Sequence, residues 1–151
     1  MLARVVQTAD GGWRVLVPGQ TQADWQPSHP LDVHFGDDQL ALLGYDLEVA
    51  KGLSKDPALD ITYYWRTLRG TDRDLTVFIH LLSSEEGKPV IRAQLDTYPG
   101  YGRLPTSRWK SGQIFVDRLR LALPYDGKAA EGIIVTGLYY VPTMERLPVA
   151  K

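Results

Sequence analysis

The sequence predicts an all-β protein, namely a two-sheet antiparallel β-sandwich of the immunoglobulin-like or jelly-roll type, with about nine strands. Three observations lead to this prediction. Apolar residues recur with a period of two, turn-forming residues separate these runs at intervals of roughly 8–15 residues, and no long run has the period of a helix. The length of 151 residues fits one domain. We therefore expect a single domain over 1–151, with an N-terminal hairpin and connection at 1–30 and the core sandwich at 31–149.

The clearest alternation lies in the middle of the chain. Apolar side chains occupy every second position in residues 59–66, and residues 74–81 repeat this pattern. Such alternation is typical of strands with one buried face. Turn-forming residues at 69–72 lie between the two runs, so we predict that these strands pair directly as a hairpin.

Shorter signals place the remaining strands. Asp10-Gly11 lies between the apolar runs 2–7 and 13–17 and predicts a hairpin. The turn at 36–38 predicts that residues 31–35 pair with residues 40–47. Strands are also expected near 90–95 and 119–123, and residues 133–141 are apolar on both faces, which indicates a central strand. The aromatic residues on these strands are interpreted as core: Tyr63, Trp65 and Tyr139.

Composition excludes several classes of partner. The chain has no cysteine, so it forms no disulfide and offers no thiolate to a metal. Its formal net charge of −1 provides no bulk field for nucleic acid, and no nucleic-acid partner is predicted. No apolar run is long enough to span a bilayer, so direct membrane insertion is not expected. The sequence gives no signal for the oligomeric state.

One group of residues resembles a metal site. Asp32 and His34 share a strand face, and Asp37 and Asp38 follow in the adjacent turn. A metal needs three or four converging ligands, whereas alternating polar residues are the ordinary outer face of a half-exposed strand. The second interpretation is favoured, and neither a metal nor another cofactor is predicted.

Catalytic patterns are absent from the sequence. There is no Gly-x-Ser-x-Gly motif, and the serines lie in predicted loops without a nearby histidine. Carboxylate pairs for glycoside hydrolysis meet only in the folded protein, and Asp46, Glu48 and Asp96 are candidates by residue type alone. The chain is therefore expected not to be an enzyme, with no catalytic residues.

The segment 96–112 is the most distinctive loop of the chain. It carries aromatic and basic residues that suit a carbohydrate, whose C–H faces stack on rings while its hydroxyls form hydrogen bonds; the same mixture is common at protein interfaces. Trp109 is favoured as a cap on an open end of the sandwich, whereas the two tyrosines beside Pro99-Gly100 fit capping and binding equally well. The candidate ligand-binding residues are Tyr98, Tyr101, Arg103, Arg108 and Trp109.

Residues 35–148 also contain a series of short phrases that occur together in a known family. The phrases are Leu42-Leu43-Gly44-Tyr45-Asp46-Leu47, Tyr64-Trp65, Thr76-Val77-Phe78-Ile79-His80-Leu81, Pro105-Thr106-Ser107-x-Trp109-x-x-Gly112, Gly137-Leu138-Tyr139 and Glu145-Arg146-Leu147-Pro148. In their order and spacing they resemble the β-rich domain that follows the membrane portion of some bacterial family-39 glycosyltransferases, which are related to protein O-mannosyltransferases. The segment before Phe35 matches less clearly.

The resemblance implies an accessory module outside the cytoplasm, with the transferase chemistry in a membrane portion that this chain lacks. The leading hypothesis is therefore a non-catalytic β-sandwich that binds carbohydrate or a cell-envelope protein. The alternatives are a purely structural or assembly domain, and a sugar-acting hydrolase. The location is expected to be extracytoplasmic if the chain is part of a larger membrane protein, and cytoplasmic if it is the full native chain.

Overall fold

Two antiparallel sheets form the fold in the computed structural model, which describes residues 26–49, 58–123 and 132–150 and the backbone of two short strands at 4–7 and 13–16. The strands are β1 (Arg4–Gln7), β2 (Trp13–Leu16), β3 (His29–Phe35), β4 (Leu40–Val49), β5 (Ala58–Thr67), β6 (Thr76–Glu85), β7 (Lys88–Thr97), β8 (Ile114–Ala122), β9 (Ile133–Tyr140), β10 (Glu145–Arg146) and β11 (Val149–Ala150). Two short 3-10 segments, Pro99–Gly102 and Thr106–Arg108, lie between β7 and β8. None of the helical segments in the described ranges is long and apolar enough to cross a membrane.

The strand order confirms the predicted sandwich. One sheet has the order β11-β3-β4-β5-β8 and the other has the order β10-β9-β6-β7, which makes five and four strands. β1 and β2 pair as a separate antiparallel hairpin, as predicted, although its turn lies outside the described residues. The predicted pairing of β3 with β4 is also confirmed. β9 lies between β10 and β6 in the strand order, but β10 pairs only with Tyr139 and Tyr140, so the predicted central position is confirmed only at that end of β9.

The predicted hairpin between β5 and β6 is wrong. β5 pairs with β4 on one side and with β8 on the other, so both of its edges are already occupied. β6 belongs to the opposite sheet, where it pairs with β7 and β9. The turn at 69–72 therefore carries the chain from one sheet to the other. The backbone N–H groups of Leu68 and Gly70 bond to the carbonyl of Gln39, which ties this connection to the β3–β4 turn.

The core lies between the two sheets and follows the predicted alternation. Ile61, Tyr63 and Trp65 of β5 face the partner sheet and are buried, as are Val77 and Ile79 of β6. The same cluster contains further strand residues, namely Phe35, Leu40, Leu42, Leu119, Leu121 and Leu138, and also Leu75, which directly precedes β6. A buried side chain of this size stabilises the fold by about 1.5–3 kcal/mol, so two facing rows of them hold the sheets together.

Tyr139 is a correction to the predicted core. It is only half-buried and lies on the outer face of the four-stranded sheet, where its hydroxyl donates to Asp96 Oδ2 at 2.7 Å. Its ring packs against Phe78, which lies on the same outer face. The error has a physical origin: β9 is apolar on both faces, so its sequence does not reveal which face meets the other sheet.

A β-bulge in β4 changes which of its residues face outward. The register against β5 shifts between Leu42 and Gly44. Before the shift Leu42 points into the core, and after it Tyr45 packs against the core instead. Since side chains alternate along a strand, one extra residue moves the even-numbered positions to the outer face. The bulge thereby turns Asp46 and Glu48 outward.

Candidate functional site

The loop predicted at 96–112 begins after Thr97, where β7 ends, and its second half closes one end of the sandwich. Trp109 is only 5% exposed, stacks on Phe115 with ring centroids 4.4 Å apart, and packs at a tilt against Trp65. Leu104 is buried beside it in the same cluster. The ring of Trp109 is thus part of the core and inaccessible to a ligand, which supports the capping interpretation and removes Trp109 from the candidate binding residues.

Thr106 fastens this half of the loop to the rest of the fold. Its hydroxyl donates to the Arg73 carbonyl at 2.6 Å and accepts from the Leu75 N–H at 2.8 Å. The side chain is completely buried. One hydroxyl therefore satisfies two backbone groups where the chain enters β6, and it fixes the loop against that strand.

The first half of the loop leaves two tyrosines exposed, on opposite sides of the sandwich. Tyr98 is 42% exposed and lies near Tyr139 on the four-stranded sheet. Tyr101 is 53% exposed and leans over the edge strand of the other sheet, where its hydroxyl accepts the Arg120 N–H at 2.9 Å. The predicted site residues are therefore not brought together. Arg103 and Arg108 are exposed, and neither lines the groove on the five-stranded sheet.

The groove is a concave region on the outer face of the five-stranded sheet, with a volume of about 520 Å³. Its floor is formed by outward-facing residues of β4, β5 and β8, and Tyr101 forms one wall. Concave sites with a few fixed polar groups are the usual ligand sites of proteins. The lining side chains that carry hydrogen-bonding groups are Asp46, Glu48, Asp60, Thr62, Tyr64, Tyr101, Arg118 and Arg120.

A cross-strand ion pair forms part of the groove floor. The guanidinium group of Arg120 donates two hydrogen bonds to the Asp60 carboxylate, from Nε to Oδ1 at 2.7 Å and from Nη2 to Oδ2 at 3.2 Å. The hydrogen bonds from Arg120 hold the pKa of Asp60 below its ordinary value. Glu48 lies directly opposite Asp60 in the strand register. Two carboxylates therefore lie side by side in the floor: Asp60, which is paired with Arg120, and Glu48.

Asp46 is a second fixed acceptor in the groove. Its Oδ1 accepts the Ser28 N–H at 2.6 Å and also the Ser28 hydroxyl, and its Oδ2 accepts the Tyr64 hydroxyl at 2.6 Å. Partial burial would raise the pKa of Asp46, but the hydrogen bonds from Ser28 and Tyr64 outweigh it and the pKa is lowered. Asp46 is therefore an ionised carboxylate held in one orientation.

Asp117 lies beneath the groove, on the inner face of β8. It is completely buried, and its Oδ1 accepts the Gly100 N–H at 3.0 Å. Burial raises its pKa to about 6, and the Gly100 N–H partly offsets that increase. The cross-strand neighbour of Asp117 is Tyr63, and Asp117 Oδ2 has no hydrogen-bond partner among the described residues.

Several groove residues were missed by the sequence analysis. Four of them lie at the polar, alternate positions of predicted strands, namely Asp60, Tyr64, Arg118 and Arg120. Only the order of neighbouring strands, β4-β5-β8, shows that they share a surface. Asp46 and Glu48 were named solely as carboxylates. Asp96, named with them, lies on the other sheet beside Tyr139.

His34 lies between two neighbouring carboxylates, Asp32 and Asp38, with the geometry of ion pairs. His34 Nδ1 lies 2.8 Å from Asp38 Oδ1, and its Nε2 lies 2.9 Å from Asp32 Oδ1. The hydrogen bonds to Asp38 and Asp32 raise the pKa of His34. Among the residues that the structure describes, no group of histidines and carboxylates could hold a metal ion.

A second concavity, of about 700 Å³, lies at the far end of the four-stranded sheet. Its lining contains no charged side chain and consists of Leu82, Ser83, Ser84, Gly87, Pro89, Gly132 and Ile133. Two serine hydroxyls are few groups with which to orient a polar ligand. The groove on the five-stranded sheet is therefore the stronger candidate site.

No protein-family model, curated protein or solved structure matches this chain. The family resemblance of residues 35–148 stays a prediction. The geometry of the groove is accordingly the main basis for a functional proposal.

Proposed function

We propose that this chain is a non-catalytic accessory β-sandwich module that binds carbohydrate in the groove of the five-stranded sheet. The observation that carries the proposal is that the half-exposed ring of Tyr101 lines the same groove as the oriented carboxylates of Asp46 and Asp60. An aromatic face next to fixed hydrogen-bonding groups is the combination that a sugar requires.

Each part of the groove matches one part of a sugar. The apolar C–H face of a pyranose can stack on the ring of Tyr101. Its hydroxyls can donate to Asp46, Glu48 and Asp60 and accept from the guanidinium groups. Because Asp46 and Asp60 are already held by other side chains, ordering them on binding costs little entropy.

The charge of the groove favours an uncharged, hydroxyl-rich ligand. Three carboxylates and two guanidinium groups line it, so their formal charges leave a surplus of one negative charge. The three carboxylates would repel a strongly anionic ligand, and the guanidinium groups of Arg118 and Arg120 would repel a cation. Neutral oligosaccharides are therefore the proposed ligand class.

The hydrolase alternative receives some support from the carboxylates, but the pKa values of Asp46 and Asp60 are shifted in the direction opposite to that of a general acid. A glycosidase needs one carboxyl group whose raised pKa keeps it protonated near neutral pH. The pKa values of Asp46 and Asp60 are lowered. Asp117 has a raised pKa but lies buried on the inner face of the sheet. These directions support binding rather than hydrolysis.

An assembly function is the second candidate, and an exposed apolar row favours it. Ile91 and Ile133 flank Leu82 as its cross-strand neighbours on the four-stranded sheet, and they are 50% and 65% exposed. Contiguous exposed apolar surface is a common feature of protein contacts. The two functions use opposite sheets and are compatible in one module.

The proposal includes the setting that the family resemblance implies. In that setting the module lies outside the cytoplasm, beside the membrane glycosyltransferase to which it is attached, and the groove holds a glycan near the transferase. The resemblance of residues 35–148 supports this part of the proposal.

The test is titration calorimetry against soluble oligomers of mannose, glucose and N-acetylglucosamine, with wild type, Tyr101→Ala and Tyr98→Ala. At least one oligomer should bind wild type, and Tyr101→Ala should weaken that binding about tenfold, since loss of a stacked ring costs roughly 1–1.5 kcal/mol. Tyr98→Ala is the matched control, because Tyr98 has similar exposure but lies on the other sheet. It should leave the affinity unchanged.

Two outcomes contradict the proposal. If no oligomer binds at millimolar concentration, the groove is not a site for neutral carbohydrate, and self-association of the same sample would then favour the assembly function. If an oligomer binds but Tyr98→Ala abolishes binding while Tyr101→Ala does not, the site lies on the four-stranded sheet.

A further inference from the structure

We propose that Asp117 is a positioning residue for Tyr101, and that protonation of its carboxylate loosens the turn that holds Tyr101 in the groove wall. The effect on ligand affinity rests on the proposed function. The attachment of the turn to Asp117 is independent of any ligand.

Two hydrogen bonds fasten the turn 99–102 to the edge strand β8. Asp117 Oδ1 accepts the Gly100 N–H at 3.0 Å from inside the sandwich. Three residues further along β8, the Arg120 N–H donates to the Tyr101 hydroxyl at 2.9 Å. Consecutive residues of the turn are therefore held by the two sides of one strand.

The turn needs this attachment because its backbone is strained. Gly100 and Tyr101 have positive φ angles, of 65° and 53°. Glycine adopts such angles without penalty, whereas a tyrosine does so only when its surroundings hold it there. Non-glycine residues in this region cluster at functional sites. Tyr101 is such a residue, and it forms the groove wall.

The surroundings of Asp117 make its charge sensitive to pH. Its side chain is completely buried, and the opposite sheet contributes the apolar core residues Val77, Ile79 and Leu138, together with the uncharged hydroxyl of Thr136 near Tyr63. Among the side chains that the structure describes, the titratable group beside it is the phenol of Tyr63. Burial raises the pKa of Tyr63 above its ordinary value of 10, so that phenol stays neutral. Asp117 is thus the group that changes charge.

The Gly100 hydrogen bond and the ionisation of Asp117 depend on each other. Burial raises the pKa of Asp117 to about 6, and the Gly100 N–H lowers it because it stabilises the ionised form. By the same linkage, protonation weakens the hydrogen bond to Gly100. Above pH 6 the ionised carboxylate therefore fixes the turn through its hydrogen bond to the Gly100 N–H. This hydrogen bond weakens as the pH falls through 6.

The first experiment measures the turn without any ligand, by amide NMR between pH 7.5 and 5. The Gly100 amide proton of wild type should shift with a midpoint near pH 6. The hydrogen-exchange protection factor of the Arg120 amide, which Tyr101 covers, should fall over the same range. In Asp117→Asn, whose side chain has the same shape but cannot ionise, both quantities should be independent of pH.

Two further variants separate positioning from general structure. Thr76→Val alters another buried polar residue, whose hydroxyl has no partner among the described residues, and it should keep the wild-type Gly100 titration. Tyr101→Phe removes only the acceptor for the Arg120 N–H, so it should lower protection of that amide while the Gly100 titration persists. If Asp117→Asn does not fold, wild type and these two variants still test the proposal.

The second experiment adds the oligomer that binds wild type most tightly in the calorimetric panel. Wild-type affinity should fall about fivefold from pH 7.5 to 5, since hydrogen bonds to charged and to neutral groups differ by about 1 kcal/mol, which is about fivefold in an equilibrium constant. Asp117→Asn should have a constant, weakened affinity.

A Gly100 amide that does not titrate near pH 6, or that titrates equally in Asp117→Asn, overturns the proposal. If the NMR result holds and no oligomer binds, Asp117 still positions the turn, and the carbohydrate function alone has failed.

Discussion

Thr106 and Thr67 are both buried threonines, but only Thr106 uses its hydroxyl. Thr106 satisfies the Arg73 carbonyl and the Leu75 N–H, whereas Thr67 Oγ1 has no partner among the described residues. A buried hydroxyl that bridges two backbone groups is costly to remove, since both groups are then left unpaired. A buried hydroxyl without a partner has already lost its bonds to water.

Replacement of each threonine by valine, which has nearly the same shape, tests this difference. Thr106→Val should lower the free energy of unfolding by about 1–3 kcal/mol, and Thr67→Val should leave it unchanged or raise it slightly. Urea denaturation monitored by tryptophan fluorescence measures both. Equal losses in the two variants would show that the Thr106 hydrogen bonds do not stabilise the loop.

For single residues, the sequence predicts burial correctly where the position in a strand determines the environment of the side chain. Tyr63 and Trp65 are buried as predicted, because period-two alternation assigns them to the inner face. Asp117 was missed although a signal existed. It shares the phase of the buried Leu119 and Leu121, so a carboxylate stands where the pattern calls for an apolar residue. Charged residues in the apolar phase of a strand are candidates for functional positions.

The 96–112 loop behaves as two structural elements with different roles. Its second half packs Trp109 against Phe115 and Trp65 and so fills the end of the core. Its first half projects Tyr98 and Tyr101 to opposite sides. Composition predicts a functional loop but not this division, because both halves contain aromatic residues beside prolines and glycines.

Trp109→Ala should therefore behave as a core mutation. We expect it to lower the free energy of unfolding by about 3–5 kcal/mol, because it leaves a cavity beside Trp65. Tyr98→Ala should change the same quantity by less than about 0.5 kcal/mol, since its exposed ring loses little packing. Guanidinium denaturation measures the free energy of unfolding of both variants. A loss below about 1 kcal/mol for Trp109→Ala would contradict its role as a plug.

The connection between β5 and β6 shows where element prediction fails. The turn residues at 69–72 resemble a hairpin turn, yet the strands enter different sheets. Local sequence signals the turn but not the partner of each strand. That choice depends on β8, which pairs with β5 from about 50 residues further along the chain.

For the molecule as a whole, the sandwich was predictable and the groove was not. Alternation and turn spacing are local properties and predict two packed sheets. The groove depends on the non-local order β4-β5-β8 and on the bulge that turns Asp46 and Glu48 outward. The sequence held the residues of the site, but their common surface exists only in the folded sheet.

The central claim is that the outer face of the five-stranded sheet binds carbohydrate. Its most direct test is chemical-shift mapping of the ¹⁵N-labelled protein during titration with the best-binding oligosaccharide of the panel. We expect the largest shifts in β4, β5, β8 and the turn at Tyr101, with little change in β6, β7 and β9. Shifts centred on the four-stranded sheet, or no shifts at saturating sugar, would contradict the account.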